Sequence, residues 1–224
     1  MPPRFREAVA ALRAHYGKPA PPISTDPFAL IVYESIAYLV SDEKRDLAFD
    51  TLRRDACVTP RAVLKARMAI LVEACRIGGI HPERRAERIR LCAEIVISEF
   101  DGDLRTVLQL PYKDARKALC RLPGIGEPGA DKILLFCGSY PVLAPESNGL
   151  RVLTRLGFTE DKPSYAATYR SALAAIEDEA GDDCARLTVA HQLLRRHGRE
   201  LCRRSQPLCP QCPLRSGCDY AART

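Results

Sequence analysis

The sequence contains no tryptophan, and aromatic residues make up only 6% of it. That scarcity argues against a single-strand nucleic-acid binder built on base-stacking side chains. No apolar run approaches the length of a membrane span, so no membrane role is expected. Nor is there an apolar stretch behind the opening Met1-Pro2-Pro3-Arg4-Phe5-Arg6-Glu7, so nothing there marks the chain for export and a reducing cytosol is the expected compartment. No segment alternates convincingly between apolar and polar residues, and there is no internal repeat or low-complexity tract. The absence of strand patterning leaves an all-α protein as the expected class.

What is present is an ordinary soluble composition over 224 residues, with 46% hydrophobic and 28% charged residues. This is enough chain for one large or two small domains. The net charge is +6, which suits a polyanionic partner. From His191 onward, Arg195, Arg196, Arg199, Arg203, Arg204, Arg215 and Arg223 face only Glu200 and Asp219. A phosphate-facing role is expected for this cationic stretch.

Helical spacing of apolar residues runs from Phe5 to Tyr16 and stops at Gly17. A proline-rich connector follows, with Pro19, Pro21 and Pro22. Asp26-Pro27 has the N-cap, N1 order and predicts a helix to about Val40. Further helices are predicted at about 45–54, 60–77, 82–99, 103–108 and 113–122. Four more are predicted at about 128–137, 149–156, 165–179 and 183–197, with Gly198 closing the last as a C-cap.

Two features carry chemistry. The first is Cys202, Cys209, Cys212 and Cys218, a C-x6-C-x2-C-x5-C run. The other six cysteines (Cys57, Cys75, Cys92, Cys120, Cys137, Cys184) are scattered singly through apolar stretches, as small buried hydrophobes would be. Disulfides do not suit the expected compartment. Spacing alone leaves zinc and an iron–sulfur cluster both open, since each takes four thiolates. The second feature is Leu122-Pro123-Gly124-Ile125-Gly126 between two predicted helices. Its glycines permit a tight turn and a close approach, and its amides feed a helix N-terminus suited to a phosphate.

Taken together, the cysteine run and this hairpin resemble the endonuclease III group of helix-hairpin-helix DNA glycosylases. Asp26-Pro27-Phe28 looks like the first barrel helix of that family. Gly79 followed by 85–89 resembles its next block. Ala144-Pro145-Glu146-Ser147-Asn148, followed by Gly149-Leu150-Arg151-Val152, resembles the segment that carries the family's catalytic aspartate. The match runs from about Pro27 to Cys218.

The resemblance implies an all-α, two-lobed fold. Residues 28–140 would form a six-helix lobe with the helix-hairpin-helix. Residues 1–27 and 141–224 would form a cluster-bearing lobe, with a [4Fe–4S] cluster on the loop 202–218 and zinc as the alternative. It implies a double-stranded DNA partner whose bent duplex has a base flipped out. Leu122, Gly124, Ile125 and Gly126, with Arg203, Arg204 and Arg215, would touch DNA. A monomer in the cytoplasm, associated with the nucleoid, is expected.

The chain departs from the family at three positions. Where bifunctional members carry a Schiff-base lysine, this chain has Pro128, which has no nucleophile and suits the first position of the second hairpin helix. Lys132 lies one turn, about 5.4 Å, further along, too far to replace that amine without shifting the helix. The aspartate position holds Glu146, which could serve glycosidic cleavage or simply cap the helix that follows. The family's gap-filling polar residue falls near Leu39, which reads first as a core leucine and otherwise as an apolar wedge. Glu127 and Asp131, near the hairpin, are expected to weaken its attraction for phosphate. The readings are therefore a monofunctional DNA N-glycosylase, a DNA-binding member of the fold that has lost catalysis, or a zinc-stapled helical protein without a nucleic-acid role.

Overall fold

The computed structural model describes residues 4–56 and 58–223, so expectations about Met1–Pro3 and Cys57 lie outside it. The described residues are helical, with a lone parallel bridge between Tyr38 and Gly79. They fall into two compact units. One comprises residues to Pro21 together with Gly138 onward, and the other is Pro22–Cys137.

The first unit opens with α1, Phe5–Tyr16, which buries Phe5, Ala8 and Leu12 along one stripe. The inserted unit begins with α2, Pro27–Ile36. Asp26 Oδ1 accepts the Ala29 amide at 2.8 Å and Pro27 supplies the first helical residue, so capping fixes this start. Phe28, Leu30, Ile31, Val32 and Ile36 are all buried, which makes α2 the core helix of its unit. It packs against α3 (Asp42–Ala56), α6 (Pro82–Glu99) and α8 (Glu127–Phe136), and the unit also holds α4 (Pro60–Lys65), α5 (Met68–Ile77) and α7 (Tyr112–Leu119).

Several boundaries differ from the sequence pattern. The helix from Asp26-Pro27 ends at Ile36 rather than Val40, because Tyr38 leaves it to donate its amide to Gly78 O at 2.9 Å. The expected 60–77 helix is two helices. Ala66 and Arg67 are extended, and Arg90 Nη2 takes the Leu64 and Ala66 carbonyls at 2.7 and 3.1 Å, supplying from α6 the donor that a continuous helix would have provided. At 103–108 the Asp103 carboxylate accepts the Arg105 amide at 2.9 Å, and only a 3-10 turn at Val107–Gln109 survives. Helix α8 starts at Glu127, so Pro128 is its second residue, where a missing N–H still costs no intrahelical bond.

The first unit continues with α9 (Ser147–Leu156), α10 (Tyr165–Ala180), α11 (Cys184–Glu200) and a short α12 (Asp219–Ala222). Gly198 does not cap α11 but lies inside it. A Cβ there would collide with the Asn148 carbonyl, so the glycine is what lets α11 pack onto the start of α9. Among the lone cysteines, Cys75 and Cys92 are buried, whereas Cys120, Cys137 and Cys184 are only partly so.

Candidate functional site

In the inserted unit, Leu122–Gly126 turns the chain between α7 and α8. Ile125 donates its amide to Leu122 O at 3.0 Å, and both of these side chains are buried anchors. Gly124 has φ +86°, and an added Cβ would sit 2.9 Å from Arg88 Cδ. The positive φ requires glycine here, and a side chain would also displace the end of Arg88. The first amides of α8 have no intrahelical acceptor and remain suited to an anion.

Both carboxylates beside this turn have partners. Asp131 is 0% exposed and accepts from the Tyr112 hydroxyl at 2.8 Å, with Arg116 Nε at 3.6 Å. Arg116 also holds Glu127 Oε2 at 2.5 Å. Arg116 thus meets both carboxylates, one cation against two anions, which lessens the weakening of phosphate attraction expected of them. Burial, then the Asp131 charge, pushes the Tyr112 phenol up to about 12. Lys132 is tied up as well, with its Nζ 2.6 Å from Glu34 Oε1.

Leu39 is not a core leucine. It is 79% exposed, with φ 56°, and sits beside Tyr38 at 55% and Ile80 at 51% exposure. The two loops that carry these residues are joined by the Tyr38–Gly79 bridge and braced from below by Arg85. This guanidinium is buried and donates to the carbonyls of Ile36, Cys75 (2.6 Å), Gly79 (2.7 Å) and Ile80 (2.9 Å). Burial lowers its pKa. Holding Leu39 in a left-handed conformation costs on the order of 1–2 kcal/mol, so the brace keeps an unfavourable apolar projection in place.

In the other unit, Glu146 is the N-cap of α9. Its Oε1 accepts the amides of Asn148 and Gly149 at 2.9 and 3.1 Å. Its Oε2 accepts Asn148 Nδ2 at 2.9 Å and the Ser147 hydroxyl at 3.3 Å. A carboxylate has about four lone-pair sites, and all are engaged here. These bonds fix its orientation, with the longer Ser147 bond the easiest to exchange.

Cys202, Cys209, Cys212 and Cys218 line one hollow with Val152, Leu156, Leu201 and Leu214 around them. Arg155 Nη1 lies 3.4 Å from Cys202 Sγ, and the Leu214 amide donates to Cys212 Sγ at 3.4 Å. Burial raises both thiols, opposed at Cys202 by Arg155 and at Cys212 by that amide. Among the described residues, no three His, Cys, Asp or Glu side chains converge as ligands of one metal ion. Arg155 also donates to the carbonyls of Arg203 at 2.7 Å and Arg204 at 3.1 Å, and its guanidinium lies 4.4 Å from the Tyr220 ring centroid. Arg203, Arg204 and Arg215 keep exposed side chains. The structure thus gathers the four cysteines and the three loop arginines into one region of this unit.

Sequence reasoning missed Ile80, Arg85, Arg155 and His197. Ile80 had a signal, an apolar residue between Gly79 and the left-handed His81-Pro82 start of α6. Arg85 stands in the 85–89 block, but its bracing role carried no signal; Arg155 and His197 are single polar residues whose partners include residues remote in the chain and carry no motif.

No family model matches the sequence. A Rickettsia prowazekii protein named endonuclease III is 34% identical over 206 residues, covering 90% of this chain and 87% of that one. An endonuclease III of Sulfolobus acidocaldarius is 28% identical over 196 residues, with 86% and 82% covered. Among solved structures, a trapped endonuclease III–DNA covalent intermediate superposes with a TM-score of 0.77 at 20% identity, covering 98% of this chain and 96% of that one. A thermostable thymine-DNA glycosylase gives 0.75 at 16% identity, with 98% and 97% covered.

Proposed function

Since this chain belongs to the endonuclease III family of helix-hairpin-helix DNA glycosylases, we propose that it is a monofunctional DNA N-glycosylase: it binds duplex DNA, flips a damaged or mispaired base and hydrolyses the N-glycosidic bond. The observation that carries the monofunctional part is Pro128 in α8, with the nearest lysine on that helix, Lys132, ion-paired to Glu34. A Schiff base needs a free neutral amine at the sugar C1′, and neither residue provides one.

Glu146 is the catalytic carboxylate in this reading. Its four hydrogen bonds orient the carboxylate that would stabilise an oxocarbenium-like sugar. A water enters its shell by displacing the Ser147 hydroxyl. The hairpin amides at Gly124–Gly126 take a DNA phosphate, and Arg203, Arg204 and Arg215 take others. Leu39, with Ile80, wedges into the base stack; the exposure of both supports this role.

The cysteine hollow fits a [4Fe–4S] cluster. Zinc also takes four thiolates, and the C-x6-C-x2-C-x5-C spacing, which resembles that of the endonuclease III group, favours iron. A cluster spreads its four thiolates over separate irons, and the N–H donors at Cys202 and Cys212 suit ligated sulfur. When bound, the cluster supplies the bonds that hold loop 202–218 in one shape.

A second reading, a DNA-binding member without catalysis, is favoured by one observation: Glu146 is fully occupied as a helix cap. The test is incubation with a panel of duplexes bearing single lesions, followed by alkali. Base release that disappears in Glu146→Gln at unchanged DNA affinity is the expected result. Tight binding with no release from any duplex sinks the glycosylase reading. A borohydride-trapped covalent complex contradicts the monofunctional one.

A further inference from the structure

One chain of hydrogen bonds reaches the cysteine hollow from outside the loop. The Tyr16 hydroxyl, in the last turn of α1, lies 3.0 Å from His197 Nδ1. His197, near the end of α11, is fully buried, and its Nε2 lies 3.4 Å from Cys212 Sγ. A ligating thiolate only accepts hydrogen bonds, and a neutral imidazole has a single N–H. If that proton is on Nε2, it points at the sulfur, and bare Nδ1 accepts from the Tyr16 hydroxyl. The opposite tautomer would set a nitrogen lone pair against a thiolate. The partners therefore select the Nε2–H form.

We propose that Tyr16 and His197 act as a positioning relay, in which the tyrosine fixes the imidazole tautomer and the imidazole donates one hydrogen bond to Cys212, raising the reduction potential of the bound cluster. This rests on the iron–sulfur reading above. A donor to a ligating sulfur draws electron density from it and favours the more electron-rich, reduced cluster. The relay is separate from Arg155, which serves Cys202, so Cys212 receives its own second donor beside the Leu214 amide. It also ties the N-terminal helix to the loop through side chains alone.

The test uses the intact protein as purified with its cluster. Two quantities are read: the midpoint potential, and the coupling of exchangeable protons to the paramagnetic cluster by pulsed electron–nuclear double resonance. Tyr16→Phe is expected to lower the potential and weaken one exchangeable-proton coupling. His197→Leu is expected to lower it further and abolish that coupling, while His197→Gln, whose amide still donates, restores part of both. A purely structural role for the pair would leave the potential and coupling of the folded variants unchanged, and that result overturns the inference. If His197→Leu does not fold, Tyr16→Phe decides alone. Protein that purifies without iron overturns the cofactor reading and the relay with it. Iron-loaded protein with unshifted variants overturns the relay only.

Discussion

Asp131 is a carboxylate with no exposed surface, and its charge is tolerated because Tyr112 and Arg116 both meet it. Removing one member of such a group leaves the others desolvated. Asp131→Ala is therefore expected to cost on the order of 3 kcal/mol in denaturant unfolding. The same cluster sets an alkaline limit. The Tyr112 phenol is raised in the folded protein to about 12 from an ordinary value of 10. Its contribution to stability is thus fully present below pH 10 and is lost as pH climbs towards 12. Tyr112→Phe should flatten that limb of the stability–pH curve, and an unchanged slope between pH 10 and 12 would count against the assignment. At this scale the sequence was most informative where chemistry depends on spacing. The cysteine run, the hairpin glycines, Pro128 and Glu146 are all recognisable from order along the chain. Arg85, Arg155 and His197 were not, because an isolated polar residue acquires its role from carbonyls and sulfurs that folding brings to it. Arg85 meets Ile36 across 49 residues and Arg155 meets Cys202 across 47.

Among the elements, caps and apolar stripes made most helices readable to within a few residues. Asp26 before α2, Ser164 before α10 and Asp183 before α11 all accept amides as capping residues should. Two of the failures share one cause, a tertiary hydrogen-bond partner that outcompetes local preference, whereas at 103–108 the local Asp103 carboxylate does so. Arg90 ends α4 early, and the Gly78 carbonyl draws Tyr38 out of α2. Gly198 was misread for the complementary reason: its lack of a side chain serves the crossing of α9 and α11. Gly198→Ala is expected to force these helices apart and cost roughly 1–3 kcal/mol, as overpacking does, with a lower thermal midpoint as the readout. Arg85→Met should leave α2 and α6 formed but release the loops that carry Leu39 and Ile80. Hydrogen exchange at the Tyr38 amide, which is bonded to Gly78 O, should then accelerate well before global unfolding. Exchange that stays at the global rate would show that the brace is dispensable.

For the molecule as a whole, the surplus of positive charge is expected to express itself as salt sensitivity. Reversing Arg203 and Arg204 to glutamate should make log K for duplex binding less steep in log salt by about 2, since each phosphate contact contributes a slope near 0.9. An unaltered slope would remove the loop from the DNA-facing surface. The chain path has a consequence for synthesis. Pro22–Cys137 is inserted within the other unit, so Leu12 of α1 and Leu187 of α11, both buried, are made far apart in time. At ribosomal rates of about 5–20 residues per second, the intervening chain takes roughly 10 to 35 s to appear. By the end of that interval the inserted unit has all its helices, while the buried stripe of α1 at Phe5, Ala8 and Leu12 still lacks α11, which packs on it together with α10. The cover over α1 is thus completed only when α11 follows, and a nascent chain stalled before α11 should display part of that stripe to chaperones and proteases.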